Sequence, residues 1–178
     1  EGGLLMLEEG TGMMPDIQLR FLSALNSHVG EFDVSYRGAA IPVHPDFVCI
    51  MTGNPPGKNY RGTDRLNSAL LSRFAIVELP FPTLEEMLGY LVAIGSPEEL
   101  REPLAHLAVQ VWQAFDKGQV SNYVSPRELS LYLGALSSKV PDEVAFRSCV
   151  LNKFESAQRV AILQTWGMLK PSQENTSA

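Results

Sequence analysis

Two short apolar runs dominate the first half of the chain. Leu4-Leu5-Met6-Leu7 stops abruptly at Glu8-Glu9, and Phe47-Val48-Cys49-Ile50-Met51 stops at Thr52-Gly53-Asn54. Unbroken apolar runs of this length predict parallel strands buried on both faces. Between them, Ile17, Phe21, Leu22, Leu25 and Val29 recur on one helical face, predicting a sheet-packed helix from Pro15 to His28. Phe32, Val34 and Tyr36 then alternate, and a Gly38-Ala39-Ala40 turn leads into Ile41 and Val43, predicting a β-hairpin. A short helical segment, Leu66 to Leu71, closes on Ser72-Arg73-Phe74, and Ala75–Leu79 reads as a further apolar strand.

At Pro80-Phe81-Pro82 the pattern changes, and beyond it every periodic segment is helical. Three starts carry the capping-box spacing: Thr83-Leu84-Glu85-Glu86, Ser96-Pro97-Glu98-Glu99 and Ser125-Pro126-Arg127-Glu128. In the latter two, proline is expected at the first helical position, where its missing N–H is harmless. Leu104, Leu107, Ala108, Val111, Trp112 and Phe115 form a helical stripe that reads as core. Helix continues over 141–169 with Gly167 as a candidate stop, before a polar tail at 170–178. The expected domains are 1–81, a helical domain over 82–169, and the tail.

Composition narrows the function classes. A formal charge of −6 argues against a surface that coats nucleic acid, and no apolar run approaches a membrane span. Cys49 and Cys149 lie inside apolar patterns without metal-ligand spacing, which predicts buried free thiols and a cytoplasmic location. His28, His44 and His106 are scattered, and His44 reads as a loop residue.

The candidate chemistry sits where the apolar runs stop. Carboxylates at the carboxyl end of a parallel strand face the ligand crevice of an α/β sheet, where one can hold Mg²⁺ and the next can orient a water. Asn54 ends the second run in the same sense, although Asn-Pro-Pro-Gly is also ordinary turn chemistry. Arg73, just after a helix, reads either as a solvated residue or as one reaching a neighbouring subunit's phosphate. Arg127 is placed in a first helical turn, and Arg37 sits near the hairpin tip as a solvated residue or a partner contact.

In this order (apolar strand and two acids, strand and Asn, then Leu70-Leu71-Ser72-Arg73-Phe74) the chain resembles AAA+ ATPases, most closely the MoxR and dynein-related branch. The resemblance covers residues 1 to about 80 and continues into the helical part. It implies a P-loop NTPase core of α/β class with parallel strands, followed by an all-helical lid. It also implies a ring, a hexamer, that binds ATP and Mg²⁺ and remodels a client protein, with a von Willebrand A-domain partner common in the branch. By position, Glu8 resembles the Mg²⁺-associated acid, Glu9 the catalytic glutamate, Asn54 sensor 1, Arg73 the arginine finger and Arg127 sensor 2. In that branch the hairpin before sensor 1 projects toward the pore.

Two departures accompany the match. The family usually has Asp where this chain has Glu8, and the sequence contains no Gly-x-x-x-x-Gly-Lys-Ser/Thr loop. Gly53 to Asn59 is no substitute, because its prolines remove N–H donors and no helix pattern starts after Lys58. The chain therefore reads as the downstream part of a longer protein, expected to bind and hydrolyse ATP poorly alone. In the family's sheet the P-loop strand separates the sensor 1 strand from the last strand, here 75–79. Without it these edges are expected to lack partners or to pair wrongly. The alternatives are a catalytically weak regulatory module on the same fold and a nucleic-acid motor or transcription activator. The activator type's Gly-Ala-Phe-Thr loop is absent.

Overall fold

The computed structural model describes residues 3–25, 31–34, 39–54 and 66–171. The chain is mixed α/β and mostly helical, and it divides into two compact units, Glu1–Glu78 and Leu79–Ala178.

In the first unit, β1 (Leu4–Leu7) pairs in parallel with β4 (Val48–Met51), Leu4 opposite Val48 and Leu7 opposite Met51. β2 (Glu31–Val34) and β3 (Ala39–Pro42) form a separate antiparallel ribbon with Glu31 opposite Pro42. The expected Gly38-Ala39-Ala40 turn is corrected by this register, because Ala39 and Ala40 already belong to β3. The connection at 35–38, with Tyr36 and Arg37, lies outside the described residues. Helix α1 runs Pro15–Ala24, short of the expected His28, and 26–30 lie outside the described residues. Helix α2, Ser68–Leu71, starts two residues later than its pattern suggests. Asn67 sets that start, its Oδ1 accepting the Ala69 N–H at 2.8 Å.

Two strand expectations fail. β1 and β4 are not buried on both faces: Leu4, Met6, Val48 and Ile50 share one exposed face, Leu4 being 65% accessible. Ala75–Leu79 is not a strand either, and Val77 and Leu79 are 79% and 88% accessible. A strand exists through ladder bonds to a neighbour, and among the described residues this segment has none.

The second unit holds the larger core. Helices α3 (Leu84–Ala93), α4 (Glu98–Asp116), α5 (Pro126–Ser137), α6 (Asp142–Cys149) and α7 (Ser156–Leu169) enclose it, with a 3₁₀ turn at Leu151–Lys153. The α4 stripe is buried as its periodicity requires, with Trp112 half-buried. Phe81, expected at the end of the first domain, stacks on Trp112 at 4.5 Å and belongs to this core. Phe146 stacks on Trp166 at 5.0 Å, and Tyr132 meets both rings edge-on.

The capping predictions divide. Thr83–Glu86 and Ser125–Glu128 form reciprocal boxes, the latter with Pro126 at the first helical position. Ser96 does not cap α4: Pro97 takes the N-cap position, and Ser96 is buried with its carbonyl accepting from Arg101 Nε at 3.0 Å. Gly167 does not stop α7, which runs on to Leu169. A glycine inside a helix only weakens it, and packing of Ile162 and Trp166 outweighs that loss. Among the described residues no helix is long and apolar enough to cross a membrane.

Candidate functional site

Parallel pairing of β1 with β4 brings their carboxyl ends side by side. The last ladder bond runs from Thr52 N–H to the Leu7 carbonyl at 2.9 Å. Immediately beyond it come Glu8 and Glu9 on one strand and Gly53 and Asn54 on the other, with adjacent strands about 4.8 Å apart. Both acids are exposed, and Asn54 is half-buried. The shallow depression lined by Gly3, Leu4, Asp46 and Val48 lies at the opposite, amino ends of the strands. Ligand crevices of open α/β sheets form at carboxyl ends, so that depression is not the candidate.

Glu9 adopts φ 55°, ψ 36°, the left-handed conformation, which is uncommon for any residue with a Cβ. Hydrogen bonds on both sides hold it there. The Gly10 N–H donates to the Thr52 carbonyl at 2.8 Å, and the Glu9 carbonyl accepts from Gly12 N–H at 2.9 Å. These bonds close a 3₁₀ turn, Gly10–Gly12, that carries Thr11 across to the second strand. Backbone strain maintained by its surroundings in this way is characteristic of functional positions.

Thr11 was not singled out by any sequence pattern, yet it locks this end of the site. It is buried, and its Oγ1 accepts the Asn54 N–H at 3.3 Å. A Cβ at Gly53 would stand 2.5 Å from Thr11 Cγ2 and 2.7 Å from Thr11 Oγ1, so only glycine permits the approach. Threonine is stiff about χ1, which makes it a rigid spacer between the acid-bearing turn and the Asn54 loop.

Gln18 is the second residue that periodicity missed. It lies on α1 between Ile17 and Phe21, but it is buried while Ile17 is exposed. Its Nε2 donates to the Met13 carbonyl at 2.9 Å, and its Oε1 accepts the Asn67 N–H at 2.8 Å. Both ends of a buried amide are thus satisfied, as burial demands. Asn67 in turn caps α2, and two residues past that helix stands Arg73, exposed, its Nη1 donating to the Ala69 carbonyl at 2.5 Å.

No protein-family model matches this chain, and no curated protein does. The site is therefore read from its own geometry. Among the described residues no three His, Cys, Asp or Glu side chains cluster as a metal cage. Two adjacent carboxylates nevertheless suit Mg²⁺, which takes one or two protein acids and completes its shell with water and phosphate oxygens. The Gly-x-x-x-x-Gly-Lys-Ser/Thr motif that builds a phosphate cradle does not occur in the sequence.

Arg127, the remaining candidate, stands exposed in the first turn of α5, within the second unit. Its helix start is firmly held. The Glu128 carboxylate accepts from the Ser125 N–H at 2.8 Å and pairs with Lys153 Nζ at 2.8 Å, and Tyr90 Oη donates to the Pro126 carbonyl at 3.1 Å. Burial raises the Glu128 carboxyl, but the Lys153 and Ser125 hydrogen bonds and the Lys153 charge more than offset it, leaving the group below its ordinary value. At α6, Asp142 accepts from Tyr132 Oη at 2.5 Å and pairs with Lys170. Burial raises this carboxyl too, and those two partners hold it below the ordinary range. Both cysteines are free and half-buried, and desolvation raises each thiol.

Proposed function

We propose that this chain is the downstream part of an ATP-hydrolysing subunit of a ring-forming AAA+ machine of MoxR-like type, which remodels or activates client proteins. The observation that carries the reading is the convergence of Glu8, Glu9 and Asn54 at the carboxyl ends of two parallel strands, with Glu9 held in a left-handed conformation.

In this reading Glu8 supports Mg²⁺, whose charge offsets that of the phosphates. Glu9 accepts a hydrogen bond from the attacking water and Asn54 orients it. Arg73 releases the Ala69 carbonyl and extends to the nucleotide of the adjacent subunit, while Arg127 answers to nucleotide from the lid. In this reading the phosphate cradle comes from polypeptide outside this chain, and ATP is the substrate. A finger that acts in trans requires a neighbouring subunit, and a hexameric ring and a von Willebrand A-domain partner are what the branch resemblance offers.

A second reading, a catalytically weak regulatory module, is favoured by Glu8 in place of the shorter Asp and by the missing cradle. The two are separated by extending the chain with its upstream coding sequence and assaying hydrolysis in the parent, Glu9→Gln and Arg73→Ala. The ATPase reading expects loss of turnover in both variants with nucleotide binding retained, by on the order of 10³-fold or more for the finger. An extended protein that binds a client but hydrolyses ATP negligibly in all three supports the regulatory module instead.

A further inference from the structure

We propose that Gln18 is a positioning residue through which the acid-bearing turn holds Arg73, so that the cis and trans halves of the site share one buried amide. The proposal rests on the ATPase reading above and adds a connection within it.

The connection is continuous in hydrogen bonds. The Glu9 carbonyl accepts from Gly12 N–H at 2.9 Å, and Met13 N–H, at the end of the same turn, donates to the Gly10 carbonyl at 3.1 Å. The Met13 carbonyl then accepts from Gln18 Nε2 at 2.9 Å, and Gln18 Oε1 accepts from Asn67 N–H at 2.8 Å. Asn67 caps α2 through Oδ1, its carbonyl accepts from Leu70 N–H at 2.9 Å, and Leu70 is fully buried. Arg73 follows directly, its N–H donating to the Leu70 carbonyl at 3.1 Å.

Three features distinguish Gln18 from an incidental surface amide. It is 2% accessible, so its two bonds exchange with nothing in solvent. It spans 49 residues of sequence, joining two segments that share no ladder or helix among the described residues. Moreover, α2 is only four residues long, too short to hold its own place by helical cooperativity. Its position therefore depends on burial of Leu70 and on the cap, and the cap is anchored by Gln18. A change at the turn carrying Glu9 moves the Met13 carbonyl, and through Gln18 it moves the base from which Arg73 reaches its neighbour.

Complementation in mixed rings of the extended protein tests this. Glu9→Gln subunits cannot hydrolyse but still present Arg73, whereas Arg73→Ala subunits retain Glu9 but present no finger. Turnover in the mixture then comes from sites at which the first type serves the second. Adding Gln18→Met, which keeps the shape and removes both bonds, to the Glu9→Gln subunit should lower this rescued rate by about tenfold or more, since small misplacements of a positioned group have effects of that order. The KM for ATP should stay within about twofold, because the hydrolysing subunit is untouched. Gln18→Glu, close to isosteric, keeps an acceptor for the Asn67 N–H but loses the donor to the Met13 carbonyl and should lower the rescued rate in the same way, so the test survives if Gln18→Met folds poorly. In the 178-residue chain itself, Gln18→Met should speed amide exchange at Asn67.

A rescued rate unchanged by both variants overturns the role of Gln18 and leaves the ATPase reading intact. Failure of the parent Glu9→Gln and Arg73→Ala mixture to show any rescue overturns the trans finger, and the Gln18 proposal falls with it.

Discussion

Replacing Glu9 by glycine should stabilise the first unit while abolishing the activity proposed for it. The left-handed conformation at φ 55° places the Glu9 Cβ against the backbone, at roughly 1–2 kcal/mol for a residue other than glycine. Glycine removes that penalty but loses more entropy on folding, about 0.5–1 kcal/mol. The balance favours glycine by about 0.5–1 kcal/mol, whereas Glu9→Ala keeps the Cβ and gains nothing from this source. Both tryptophans, Trp112 and Trp166, belong to the second unit, so indole fluorescence would not follow the change. Hydrogen exchange at Thr52, whose N–H bonds the Leu7 carbonyl, and at Gly10, whose N–H bonds the Thr52 carbonyl, reports it directly. Exchange at these amides should be about two- to fivefold slower in Glu9→Gly than in Glu9→Ala. Hydrolysis by the extended protein should be lost in both, a trade of stability for activity that marks functional strain. Equal exchange in the two variants would refute the claim that the Glu9 backbone is strained, and retained hydrolysis would refute its catalytic role.

Three other outcomes follow from the geometry. Thr11→Val removes the acceptor for the Asn54 N–H and should speed exchange at that amide by about two- to tenfold, with Thr11→Ser restoring protection. Tyr132→Phe deletes a buried hydroxyl that donates to a carboxylate and should destabilise the second unit by about 1.5–3 kcal/mol, followed by fluorescence because Trp166 meets Tyr132 edge-on. Glu128 and Asp142 are both held below their ordinary values of 4.5 and 3.8, so folding releases protons they would otherwise bind. Their stabilisation is complete above those ordinary values and lost as pH falls through the depressed folded values. Denaturant titrations from pH 6 to pH 2 should show the decline, and Glu128→Gln with Asp142→Asn should flatten it.

Much of the second unit was legible in the chain alone. Capping boxes at Thr83 and Ser125 act over three residues, and the Leu104–Phe115 stripe needs only helical periodicity to declare its buried face. The ends of β1 and β4 were equally visible, because an apolar run that stops at paired acids or at Asn54 is a local event. What tertiary structure decided was every feature that depends on a distant neighbour. Ala75–Leu79 has the composition of a strand, but composition cannot supply a ladder partner. Ser96 has the spacing of a cap, yet the chain buries it and turns its carbonyl toward Arg101. Thr11 became a lock because Gly53 lies against it, and Gln18 became a bridge because Met13 and Asn67 arrive at its two ends. Local sequence sets propensity and periodicity within a few residues, whereas satisfying a buried polar group depends on backbone brought in from elsewhere by the fold.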